Sequence, residues 1–150
     1  MVTTPQTDSP MIPATSGPTP TCGVIRPGSS FHGKQGLTYG AGIAAETTGS
    51  VGICMHLLTI PPGGRAKAHL HRDHETAIYV LSGECQMAFG EDLTERLTVH
   101  AGEFLYIPAG VPHLPMNIGT EPCMGVLART DPNEQESVEL RPDLEGHVPI

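Results

Sequence analysis

The stretch GGRAKAHLHRDHETAIYVLSG, Gly63 to Gly83, decides how this chain is read. His69 and His71 are one residue apart, a spacing that on a β-strand sends both side chains to the same face. Pro61-Pro62-Gly63-Gly64 makes a turn ahead of them. The β-branched and aromatic run TAIYVLSG follows and closes at Ser82-Gly83, which is strand chemistry bounded by breakers.

The same pattern extends to both sides. Upstream, VGICMHLLTI (51–60) is an apolar run of strand length. Downstream, ECQMAFG, RLTVHAG, EFLYIPAG, VPHLPMN and CMGVLART alternate with turns. About eight short strands at a spacing of roughly 8–12 residues predict an all-β sandwich or barrel, not a parallel α/β fold. The 18 glycines and 15 prolines agree with many turns and few helices, and no stretch carries the apolar spacing of a long helix. Three segments are expected: a flexible Pro/Thr-rich arm over 1–22, a barrel over 23–135, and an acidic tail over 136–150. Six acids lie between Asp131 and Glu145.

Charge and cysteine usage exclude several functions. A net charge of -8 with no basic cluster repels phosphate backbones, so no nucleic-acid partner is expected. No apolar run is long enough to span a bilayer, and the first ten residues lack the layout of a secretory leader. Cys22, Cys54, Cys85 and Cys123 form no CxxC pair. The expected setting is cytoplasmic, with reduced thiols.

His113 follows Pro108-Ala109-Gly110-Val111-Pro112, a stiff turn able to return a third imidazole to the HxH pair. Three neutral imidazoles suit one divalent transition metal, Fe, Mn, Ni, Zn or Cu, with positions left open for a ligand.

These residues resemble the cupin family. Its first motif, G(x)5HxH(x)3–4E(x)6G, is similar to Gly63, His69, His71, Glu75 and Gly83. Its second, G(x)5PxG(x)2H(x)3N, is similar to Gly102, Pro108, Gly110, His113 and Asn117. The resemblance covers residues 63–117. It implies a double-stranded β-helix, the jelly-roll barrel of cupins, often dimeric, so that a homodimer is the expected assembly, with His69, His71, His113 and Glu75 as metal ligands. The acid of the first motif stands seven positions before its last glycine, a place taken here by Thr76. Glu75 is one residue earlier, and a shift of one residue reverses the face of a strand. Either Glu75 reaches the metal through a bulge, or it points away and leaves a three-histidine site like that of some thiol dioxygenases of the family; His74 is a further candidate for the same place.

The resemblance further implies a metal-dependent enzyme for a small organic substrate. A dioxygenase with Fe(II) comes first and an isomerase or lyase next, with Glu75 as ligand or base. The alternative is a non-catalytic module that binds or senses a small ligand. Met55, Met87, Met116, Met124, Cys54, Phe89, Phe104 and Ile78 are expected as barrel lining. His56 is expected as a core histidine, Tyr79 and Tyr106 as packing residues, and Arg129 as the partner of acids around Asp131 and Glu134. His32, His100 and His147 are expected in loops, turns or the tail.

Overall fold

The computed structural model describes residues 19–26, 28–133 and 137–149. Eleven strands follow one another: β1 (Ser30–His32), β2 (Thr38–Ile43), β3 (Cys54–Ile60), β4 (His69–His71), β5 (Thr76–Ser82), β6 (Glu84–Phe89), β7 (Glu95–His100), β8 (Phe104–Ile107), β9 (His113–Met116), β10 (Cys123–Arg129) and β11 (Val138–Leu140). One helical turn, α1 (Ala45–Thr48), follows β2, and a short 3-10 helix spans Pro142–His147. No helix of the described residues is long and apolar enough to cross a membrane.

The strands form two antiparallel sheets. One runs β1-β2-β3-β10-β5-β8 and the other β11-β4-β9-β6-β7. The strand count exceeds the expected eight because β1, β4 and β11 are three residues each, too short to show a period in sequence.

Alternation sets the inner face. Along β3 every second residue is buried, from Cys54 through His56 and Leu58 to Ile60. On β10, Cys123, Gly125, Leu127 and Arg129 are buried in the same rhythm. Leu58, Ile60, Val80, Val99 and Leu127 fill one half of the interior. A cavity of about 30 Å³ remains there, lined by residues such as Ile60, Val80, Cys85 and Met87 and by none of the three motif histidines. The interior is therefore apolar at one end and polar at the other.

A second apolar cluster lies on the outer side of the five-stranded sheet, where Ala68, Leu114 and Met116 meet Leu144 and Val148. The acidic stretch expected as a tail is thus structural from residue 137 onward. Val138–Leu140 pairs with His71–His69, and the Glu145 carboxylate accepts the Ala68 N–H at 2.6 Å. Its charges face solvent while Leu144 and Val148 are buried, and a net-charge argument does not register that division. Of the arm expected over 1–22, residues 1–18 lie outside the described residues, and 19–22 are exposed.

Two turns hold the barrel corners. Gly83 has φ 76°, and a Cβ there would stand 2.3 Å from the Pro122 carbonyl oxygen, so only glycine fits. Gly110 has φ 78°, and its N–H donates to the His71 carbonyl at 2.8 Å, which ties the loop before His113 to the strand carrying His71.

Candidate metal centre

His69 and His71 project from β4 to one face, and His113 opens β9 directly opposite His69 in the antiparallel register. The ring centroids of His69 and His113 are 4.3 Å apart, those of His69 and His71 5.2 Å, and those of His71 and His113 5.5 Å. Each residue offers a ring nitrogen, and these atoms all lie within 4.8 Å of one another. All three side chains are buried.

Hydrogen bonds orient two of the rings. His69 Nδ1 donates to the Lys67 carbonyl at 2.6 Å, and His113 Nδ1 to the Val111 carbonyl at 2.9 Å. A carbonyl only accepts, so both Nδ1 atoms carry the proton and both Nε2 atoms keep a lone pair. His71 differs: among the described residues neither of its ring nitrogens has a hydrogen-bond partner. A buried imidazole without a partner is costly, and a shared metal ion is a partner that removes this cost.

The electrostatics favour ligation. Burial is the largest cause lowering all three pKa values; it takes His113 to about 4 against the pull of its Val111 hydrogen bond. The nearby Arg129 guanidinium lowers each of them further. The three imidazoles are therefore neutral at pH 7, the form that binds a metal.

Glu75 stands elsewhere. It is exposed on the outer surface, where its carboxylate accepts the Tyr106 hydroxyl at 2.6 Å. Thr76 takes the inward position, paired in regular register with Arg129, and no bulge brings Glu75 back. The expectation that Glu75 ligates the metal or serves as base beside it is corrected: strand alternation sends it out. His74 is buried with its ring 4.6 Å from His71, but its Nδ1 lies 3.1 Å from an Asp131 carboxylate oxygen and against the Ser137 hydroxyl. It adjoins the triad without joining it.

Other expectations divide by face. Met87, Cys54 and Ile78 lie on the inner side, whereas Met55, Met124 and Phe104 are exposed. Met116 is buried in the outer cluster, so four of these apolar residues do not line the barrel. His56 is a core histidine whose Nδ1 accepts the Gly42 N–H at 3.0 Å. His100 ends β7, where it meets Glu84 and Glu103 at the surface. The inward position of Arg129 was missed, although the alternation of CMGVLAR places it on the face of Leu127.

Two antiparallel sheets closing around a buried histidine triad define a jelly-roll barrel with three side chains that could hold a metal ion. The chain belongs to the cupin superfamily, matching the Cupin_2 cupin domain over residues 56–128. A protein of Methanocaldococcus jannaschii described as uncharacterized is 30% identical over 81 residues. That match takes in 54% of this chain and 62% of the relative, so the chain spans less than two thirds of the relative's length. An oxalate decarboxylase of Lactobacillus farciminis, solved as a formate complex, superposes with a TM-score of 0.64 at 19% identity, covering 81% of this chain and 36% of that one. The polyketide cyclase RemF of Streptomyces resistomycificus superposes at 0.59 with 24% identity, covering 77% and 75%. At these identities the likeness is one of fold.

Proposed function

We propose that the protein is a mononuclear metal-dependent enzyme acting on a small organic molecule, with His69, His71 and His113 as the whole protein ligand set. The observation that carries this reading is the pair of buried, unpartnered ring nitrogens of His71 beside the two oriented Nε2 atoms. Three neutral ligands leave a divalent centre its full double charge. The family resemblance, not the donor set, ranks an oxygenase with Fe(II) first and isomerase or lyase chemistry next. When bound, the iron supplies redox chemistry with dioxygen and polarises a coordinated substrate. The protein's part is to fix the rings through the Lys67 and Val111 carbonyls and to keep the imidazoles neutral by burial.

Two further parts of the reading concern setting and assembly. Four free cysteines support a reducing, cytoplasmic location. The outer face of the six-stranded sheet supports a homodimer. Met55, Leu57, Leu81, Phe104, Tyr106 and Met124 are exposed there, a group of large apolar side chains on one face of the kind that a second subunit covers.

Elemental analysis of the purified protein, followed by oxygen uptake with thiol, catechol and diketone substrates, tests the enzyme reading. Stoichiometric metal with turnover supports it. Metal with no conversion of any substrate under any metal loading replaces it with a ligand-binding module.

A further inference from the structure

The apolar end of the barrel, away from the three motif histidines, brings two cysteines together. Cys85 is the second residue of β6 and Cys123 the first of β10, so they come from opposite sheets. Both are buried, and both line the cavity of about 30 Å³ between the sheets. The backbone holds them close. Met124 pairs with Ser82, and the corner at Gly83 packs so tightly on β10 that a Cβ there would stand 3.0 Å from the Cys123 Cα. Cys85 lies two residues past that corner and faces inward, as Met87 does. The Cys85 thiol donates to the Cys123 sulfur. This bond holds the Cys123 thiol below its ordinary pKa against the effect of burial, and with burial it pushes the Cys85 thiol far above its own.

From this arrangement we propose that Cys85 and Cys123 form a redox modification site, which closes to a disulfide between the two sheets with hydrogen peroxide as the oxidant. Two thiols in contact from facing strands need little backbone movement to bridge. The cavity sets the size of the reagent. One water needs about 10–15 Å³ of such space, so about 30 Å³ admits a molecule as small as hydrogen peroxide and excludes glutathione. Cys123 reacts first, because the thiolate is the nucleophile and the Cys85 hydrogen bond favours it there. Its sulfur attacks one peroxide oxygen: an S–O bond forms, the O–O bond breaks, and the departing hydroxide takes up the proton that Cys123 released. The Cys85 sulfur then attacks the sulfenic sulfur: the S–S bond forms, the S–O bond breaks, and hydroxide leaves as water with the Cys85 proton. Two thiols and one peroxide thus give one disulfide and two waters; the thiols lose two electrons and the peroxide gains them. The site stands apart from the metal-centre reading, since none of the three motif histidines lines this cavity.

The test treats the folded full chain with hydrogen peroxide, as purified and again after a chelator, in a Cys22→Ser background that removes the exposed thiol. Samples are quenched, unfolded, alkylated and mapped by mass spectrometry without reduction. We expect a Cys85–Cys123 linked peptide in both samples, two hydrogens lighter than its reduced halves and separated again by a phosphine. Oxidised glutathione should leave the pair reduced. Cys85→Ser, which keeps a hydroxyl donor beside Cys123, should give a Cys123 sulfenic acid that dimedone traps. Cys123→Ser should slow oxidation of Cys85 at least about tenfold, since the thiol left behind is buried and has lost its partner sulfur. Both variants are checked by thermal melt, and if either fails to fold the parent map decides alone. Four results overturn the site: thiols that survive peroxide when folded but not in guanidinium, direct passage of either cysteine to sulfinic acid, a bridge that uses Cys54 instead, and linkage as fast with oxidised glutathione as with peroxide. Linkage that vanishes after the chelator also overturns it, because the oxidation then belongs to a bound metal.

Discussion

His69 and His113 face each other directly across two antiparallel strands, forty-odd residues apart in sequence, with ring centroids 4.3 Å apart. Cross-strand neighbours of this kind are fixed by the backbone ladder and not by side-chain choice. The position of the third ring, His71, then follows from the two-residue period of β4.

The first prediction concerns that third ring. His71→Ala removes the one ligand with no other hydrogen-bond partner among the described residues. Metal content of the purified variant should fall from about one ion per chain to a few per cent. The parent, titrated with Zn(II) to about a thousand times its Kd, should gain about 4 kcal/mol of stability, and the variant should gain almost none. Removing metal from the parent with a chelator should return its melting temperature to that of the variant plus the cost of the lost imidazole.

Glu75→Gln should leave the metal stoichiometry unchanged. The residue lies on the outer surface, and its partner is Tyr106. An exposed polar pair of this type adds little to stability, so the melting temperature should move by a few degrees at most. Loss of metal on this substitution would restore the carboxylate-ligand scheme.

Acid should destabilise the metal-free protein through its buried imidazoles. His113 has its pKa lowered from 6.5 to about 4 by burial. Between these pH values the unfolded chain binds a proton that the folded chain refuses, so stability rises with pH through that window and the deficit is complete below it. His113 alone accounts for ~3 kcal/mol, and His69 and His71 act in the same direction. Urea titrations at pH 7.5 and pH 4.5 should report the loss; a flat profile would contradict the buried neutral triad.

Asn117→Ala should destabilise the barrel without touching the ligands. The side-chain amide donates to the carbonyls of Ile60 and Glu121 and accepts the Gly119 N–H, each at 2.8 or 2.9 Å. Leaving such buried groups unpaired costs on the order of 3 kcal/mol. The measurement is a denaturant midpoint, with metal content retained.

Phe104→Asp, on the exposed face of the six-stranded sheet, should convert a dimer of about twice the chain mass to a monomer in light scattering, with the metal content unchanged. A parent that runs as a monomer would remove the dimer from the reading.

Much of the site was legible because its residues sit at turns and on strands whose geometry is local. The spacing of His69 and His71, the stiff Pro108–Pro112 approach to His113 and the positive φ at Gly63, Gly83, Gly102 and Gly110 are all properties of short segments. The face of Glu75 was not settled that way. It depends on whether the strand begins with a bulge, and pairing with β10 decides that. The outward turn of Met55, Met124 and Phe104 was hidden for a related reason: the six-stranded sheet is apolar on both faces, so hydrophobicity does not mark the inner one. Arg129 illustrates the opposite bias. Its closeness to an acidic segment draws the eye, while the period of its own strand is what turns it to the interior.

The ligand strand β4 is flanked by β9 and β11, and both are synthesised after it. As the chain leaves the ribosome, His69 and His71 emerge about seventy residues before the segment that completes their sheet. Until Val138–Leu140 is available, the strand that carries the HxH pair lacks one of its two neighbours. Closure of the sheet behind the triad is therefore a late event in the life of the polypeptide, timed by a segment that lies outside the triad.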